Sequence, residues 1–120
     1  MNYFHKEMVE RWKDYSIFEQ MANIGAEVGR AVKWKKKGST ERSMNAFYRA
    51  LELIDLTVDD KKNKDCLKEI LRVREVLGDY LIGENIYHST EEQWDKYFYQ
   101  FNFVIRKDNS GPKSVSNSKK

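Results

Sequence analysis

"SIFEQMANIGAEVGRAVKWKKKG", residues 16–38, reads as one continuous helix, and the rest of the chain is arranged around it. Ser16 and Glu19 form an S-x-x-E capping box, in which a hydroxyl and a carboxylate each satisfy a free amide of the first turn. Ile17, Met21, Ile24, Val28 and Ala31 follow at alternating spacings of four and three, the signature of one buried helix face. A second row, Phe18, Ala22, Gly25, Gly29 and Val32, lies beside it. A glycine inside a helix costs about 1 kcal/mol relative to alanine. Ala22, Gly25 and Gly29 therefore read as a shallow groove into which a neighbouring helix packs closely. Gly38 is placed to end the helix, and lysines in the last turn complement its dipole.

Further helices follow on either side. Ser39 or Thr40 caps a second one, carrying Met44, Phe47, Tyr48, Leu51, Ile54 and Val58 and ending near Leu56. After the polar stretch "DDKKNKD", either Asp59/Asp60 or Asn63/Asp65 caps a third. Its apolar face is Cys66, Ile70, Val73, Leu77 and Tyr80, flanked by Leu67, Leu71 and Leu81, and it stops near Gly83. Ser89 and Glu92 make a second capping box before "EEQWDKYFYQFNFVIRK". There Trp94, Tyr97, Phe98, Phe101 and Ile105 have helical spacing, while Tyr97, Tyr99, Phe101, Phe103 and Ile105 alternate as in a strand. The cap, the acidic first turn and the lack of a strand to pair with favour helix. Phe4, Met8, Trp12 and Tyr15 suit a helical turn or two, either extending the first long helix or forming a separate arm. The expected fold is all-α: a helical arm over residues 1–15, a four-helix up-and-down bundle over 16–106, and a flexible, disordered basic tail over 107–120.

Composition narrows the class. The 120 residues suffice for one domain with a real core, and 34% of them are charged. No apolar run is long enough to span a membrane, and "MNYFHKEMVERWKDY" lacks the apolar centre of a secretory signal. The single cysteine makes a reducing cytoplasm the expected setting. Charge is unevenly spread. Arg30, Lys33, Lys35, Lys36, Lys37 and Arg42 face only Glu41 over residues 30–42, whereas Asp79, Glu84, Glu91, Glu92 and Asp95 face only Lys96 over 76–105. An up-and-down arrangement brings these two blocks to one pole, where they partly neutralise each other.

Catalytic patterns are missing. His5 and His88 have no H-x-x-x-H or E-x-x-H context, there is no C-x-x-C, and neither glycine-rich phosphate loop is present. No cofactor or metal is expected. Cys66 sits at a helix start, where a thiolate would be favoured, but its register with Ile70, Val73 and Leu77 reads as a small buried apolar residue. A helical RNase of the HEPN type needs an arginine with a histidine shortly after it, and no arginine here has one.

Two surfaces remain as candidates. In "GRAVKWKKKGSTER" the cations Arg30, Lys33, Lys35, Lys36, Lys37 and Arg42 surround Trp34, a pattern suited to phosphates with a ring to stack on a base. The same pattern also describes an ordinary solvated helix end. Tyr99 and Phe103 point away from the face of Trp94, Tyr97, Phe98 and Phe101. Together with Phe4, Met8 and Trp12 of the arm they are candidate interface residues, unless the arm covers Tyr99 and Phe103 within the same chain.

"FEQMANIGAEVGRAVKWKKKG" and "FYRALELIDLT" resemble small uncharacterised helical proteins of prokaryotes over about residues 16–106. That resemblance implies a helical bundle and supplies no site residues. The basic four-helix accessory proteins of diversity-generating retroelements are similar in size and architecture, without a shared motif. The expected function is a non-enzymatic interaction protein that forms a homo-oligomer or binds another protein. The alternative is an RNA- or DNA-binding accessory protein using the Arg30–Arg42 region and the tail.

Overall fold

The computed structural model describes Phe4 and residues 6–110. It contains five α-helices, α1 (Lys6–Arg11), α2 (Ile17–Lys36), α3 (Thr40–Asp59), α4 (Leu67–Leu81) and α5 (Glu91–Ser110), with 3-10 turns at Trp12–Asp14 and Lys61–Cys66. No strand occurs among the described residues, so the ambiguous stretch after Glu91 is helical. α5 runs past residue 106 to Ser110, and the rest of the expected tail, 111–120, lies outside the described residues, as does His5.

Local chemistry fixes the helix ends. The Glu19 amide donates to Ser16 Oγ at 3.1 Å, and the Ser16 amide donates to Glu19 Oε1 at 2.9 Å. At the other end of α2, Gly38 takes φ +85°, which glycine adopts freely. The Gly38 amide donates to the Lys35 carbonyl and the Ser39 amide to the Trp34 carbonyl, the two bonds of a Schellman turn. Ser39 then caps α3 through the Arg42 amide. The cap of α5 falls one residue later than the spacing suggests. Thr90 and Gln93 form the reciprocal box, while Ser89 exchanges two bonds with the Asn85 side chain. α4 begins only at Leu67, because Asp60 caps the 3-10 turn instead and leaves Cys66 as the first flanking residue of α4. Cys66 is therefore exposed and not a core residue: it ends the 3-10 turn and its backbone is not yet α-helical, so the register of α4 does not reach it.

α2 is the central element, packed against both α3 and α5, while α3 also meets α4. Met21, Ile24, Val28 and Ala31 are buried as their spacing indicates, together with Val32. On α3 the buried face is Ala46, Phe47, Ala50, Leu53 and Ile54, rotated from the expected one, so that Tyr48 is exposed. The alanines let α3 approach closely enough for Ser43 Oγ to donate to the Ala31 carbonyl at 2.8 Å. Trp12, taken from the sequence as a possible interface residue, is 1% exposed. It belongs to the core because its indole N–H donates to Thr57 Oγ1 at 3.0 Å, giving the ring a buried polar partner.

A polar network joins this end of the molecule. Gln20, fully buried, donates to the Trp12 carbonyl and to Asp60 Oδ2, both at 2.9 Å, and accepts from Asn63 Nδ2 at 2.8 Å. Asn63 also donates to the Thr57 carbonyl at 3.1 Å. Lys62 donates through its ammonium to Asp60 and to the Lys13 carbonyl.

The glycine groove holds at one position and not at the other. A Cβ at Gly25 would lie 2.7 Å from Phe98, so Gly25 admits the α5 ring. A Cβ at Gly29 would meet nothing within 4 Å. Gly25→Ala should lower the melting temperature, a loss of roughly 1–3 kcal/mol from overpacking. Gly29→Ala should raise it, a gain of roughly 0.5–1 kcal/mol in helix propensity. Equal shifts from the two variants in thermal denaturation would refute this assignment.

A second expectation concerns acid. Burial pushes the Asp60 carboxyl up, but hydrogen bonds from Lys62 and Gln20 and the Lys62 charge outweigh it and hold Asp60 below the ordinary carboxylate range. A depressed folded-state value contributes stability above the unfolded value of about 3.9, and that contribution is lost as pH falls through the folded one. The melting temperature should drop on acidification through this window, and Asp60→Asn should flatten that part of the curve. Parallel pH profiles for the two proteins would contradict it.

Candidate functional site

The basic end of α2 is divided by its surroundings. The Schellman turn at Gly38 folds α3 back, so that the Arg42 guanidinium stands 4.5 Å from the Trp34 ring centroid. The ammonium groups of Lys37 and Lys33 lie at 5.4 and 6.0 Å from the same centroid. Trp34 is half-buried, and the three cations around it are exposed. The aromatic quadrupole attracts each cation, and together they form a basic cluster around one ring.

The remaining cations are committed elsewhere. Lys36 pairs with Glu91 at 3.0 Å, and that hydrogen bond and charge raise its pKa, with Asp95 adding to the effect. Lys35 reaches the carbonyls of Tyr80 and Leu81 at the end of α4, at 3.4 and 3.5 Å, and lies over the Tyr80 ring. Arg30 pairs with Glu27 at 3.2 Å, and Glu27, buried, also accepts from Arg49 at 3.0 Å. The expected meeting of basic and acidic blocks thus occurs at Lys36, while Lys35 is taken up by backbone carbonyls, and Lys33, Lys37 and Arg42 are left. Asp79 serves the loop instead: its carboxylate accepts from the amides of Ile86 and Tyr87 at 2.8 and 3.0 Å and so fixes the α4–α5 loop.

The aromatic candidates separate as well. Phe4 and Met8 pack on the core near α3, beside a cleft of about 850 Å³ lined by Phe4, Val9, Tyr48, Leu51 and Leu56. The arm therefore covers α3, and Tyr99 and Phe103 stay 54% and 50% exposed. Their rings lie 6.3 Å apart, and the Arg106 guanidinium is 5.5 Å from Tyr99. Beside them a second cleft of about 350 Å³ runs between α2 and α5, walled by Ala22, Ala26, Gly29, Trp94 and Tyr99. Gly29, with nothing packed on it, is what keeps this cleft open. Tyr97, on the opposite flank, donates to Glu69 Oε2 at 2.6 Å and ties α5 to α4. Burial first, and then this bond to Glu69, push the Tyr97 phenol well above its usual range.

Sequence spacing identified Trp34 and its lysines but not Arg42 as the nearest cation, because that contact depends on the turn reversing the chain. It missed Glu27, which is buried and pairs with both Arg30 and Arg49. Among the described residues no group of three or more His, Cys, Asp or Glu side chains could hold a metal ion, and no helix is long and apolar enough to cross a membrane. Compared with protein-family models, with curated proteins and with solved structures, the chain matches none of them.

Proposed function

We propose that this chain is a non-enzymatic interaction protein that associates with copies of itself, its four long helices acting as an up-and-down bundle that displays a partner face. One observation carries the reading: Tyr99 and Phe103 stand half-exposed on α5, while Trp94, Phe98 and Phe101 of the same helix fill the core. A helix that has already buried three aromatic side chains thus presents two more on its outer side. Aromatic residues grouped on an outer face are characteristic of protein interfaces. The exposed thiol of Cys66 suits the reducing cytoplasm that this reading assumes. Sedimentation velocity from micromolar to millimolar concentration should show a mass rising to that of an oligomer. A monomer across the whole range would overturn the proposal.

A second reading, binding of RNA or DNA, is favoured by the Trp34 cluster. Lys33, Lys37 and Arg42 are exposed around a half-buried ring, apart from the cations paired with acids. Such a cluster can neutralise phosphates and offer a stacking surface. Lys35 and Lys36 contact α4 and α5 and are poor test positions, since changing them removes those contacts as well as charge. Fluorescence anisotropy with a labelled single-stranded oligonucleotide should show salt-sensitive binding. The Lys33→Glu/Lys37→Glu variant should weaken it at least about tenfold. Binding unchanged in that variant would sink this site.

A further inference from the structure

Self-association as proposed above leaves open which surfaces meet, and the outer face of α5 carries a pattern that answers this. Asp95, Tyr99, Asn102, Phe103 and Arg106 are all exposed. Spacings of three and four residues keep them on one stripe of the helix. The stripe lies well away from the face of Trp94, Phe98 and Phe101, which is buried. Its acid stands at one end and its guanidinium at the other, about 16 Å apart at the rise of an α-helix. Two rings occupy the middle. Read backwards, the stripe is its own complement.

We propose that two copies of this chain pair through α5, antiparallel about a two-fold axis that crosses the helix near Gln100 and Phe101. In such an isologous contact each residue meets the one reflected through the axis. Asp95 of each copy then faces Arg106 of the other, Tyr99 faces Asn102, and the Phe103 ring lies one position beyond, beside the opposing Tyr99. The other nearby charges are compatible with this. Glu92 continues the acidic end of the stripe, and Lys96 stands on the flank nearer α4. Lys36 lies on the α2 side, already paired with Glu91. On that side the trough at Ala22, Ala26 and Gly29 gives room beside the stripe for a ring of the second copy. Arg106 already lies over the Tyr99 ring, so its guanidinium is held on the stripe before association.

A charge exchange tests this in the full chain. Asp95→Arg gives a stripe with cations at both ends, and Arg106→Asp gives one with acids at both ends. Each variant alone should dimerise at least about tenfold more weakly than the native chain, because like charges meet at both contacts. An equimolar mixture of the two should regain dimer, since every contact in the mixed pair is again acid against cation. Both positions are exposed, and the melting temperature of each variant checks that it folds. Sedimentation equilibrium of the four samples reads the result. A native dimer that neither variant weakens, or two weakened variants whose mixture stays monomeric, would overturn the antiparallel α5 pairing and leave self-association standing. A native chain that never dimerises would overturn both.

Discussion

The side chain of Gln20 is the contact on which the rest of the structure most depends. It is fully buried, and both ends of its amide are used: the nitrogen donates to the Trp12 carbonyl and to Asp60, and the oxygen accepts from Asn63. One residue of α2 thus fixes the turn that follows α1 and the turn that precedes α4. A buried amide left without partners costs roughly 1–3 kcal/mol per unmet group. Every member therefore favours the single arrangement in which all are satisfied. Trp12 can enter the core because Thr57 accepts from its indole, and Thr57 in turn donates to the Leu53 carbonyl at 2.7 Å. The apolar core defines how the helices pack, and this network defines how the chain enters and leaves them.

What the sequence revealed and what it hid follow the range of each interaction. The Ser16–Glu19 box and the Gly38 turn depend on residues three to five apart, and each stands where its spacing puts it. The start of α5 depends on a choice between two local patterns that both fit, Ser89 with Glu92 and Thr90 with Gln93. Asn85 decides it, because it binds Ser89 and leaves Thr90 to cap. Cys66 fits a helical register that begins only one residue later. Gln20 was not legible at all, since its partners Asp60 and Asn63 lie forty and forty-three residues away and a lone glutamine reads as surface. The all-helical class was legible because periodicity is local, while the exchange of polar partners between segments was not.

The same distinction governs the candidate surfaces. A run of lysines at a helix end announces positive charge, but how that charge divides depends on Glu91 and on the carbonyls at the end of α4, far along the chain. Lys35 and Lys36 are on neighbouring positions of the same turn as Lys33 and Lys37, yet the first two join helices and the others surround Trp34. The glycines divide likewise. Gly25 and Gly29 occupy one row of α2, but Phe98 fills the space at the first and leaves the second open. Identical residue types in one register take different roles because the neighbouring helix presents a ring at one level and none at the next.

The position of the two surfaces also bears on how they would work together. The Lys36–Glu91 pair places the basic end of α2 beside the start of α5, whereas the proposed axis crosses α5 near its middle. An antiparallel pairing therefore sends the two Trp34 clusters to opposite ends of the dimer. Exposed charges separated by more than about 10 Å are largely screened at ordinary ionic strength, so the basic poles of the two copies would not oppose association. A parallel pairing of the same helices would set the poles side by side, acid against acid and cation against cation along the stripe. The charge pattern that makes the stripe self-complementary thus also selects against the arrangement that would crowd the basic ends together.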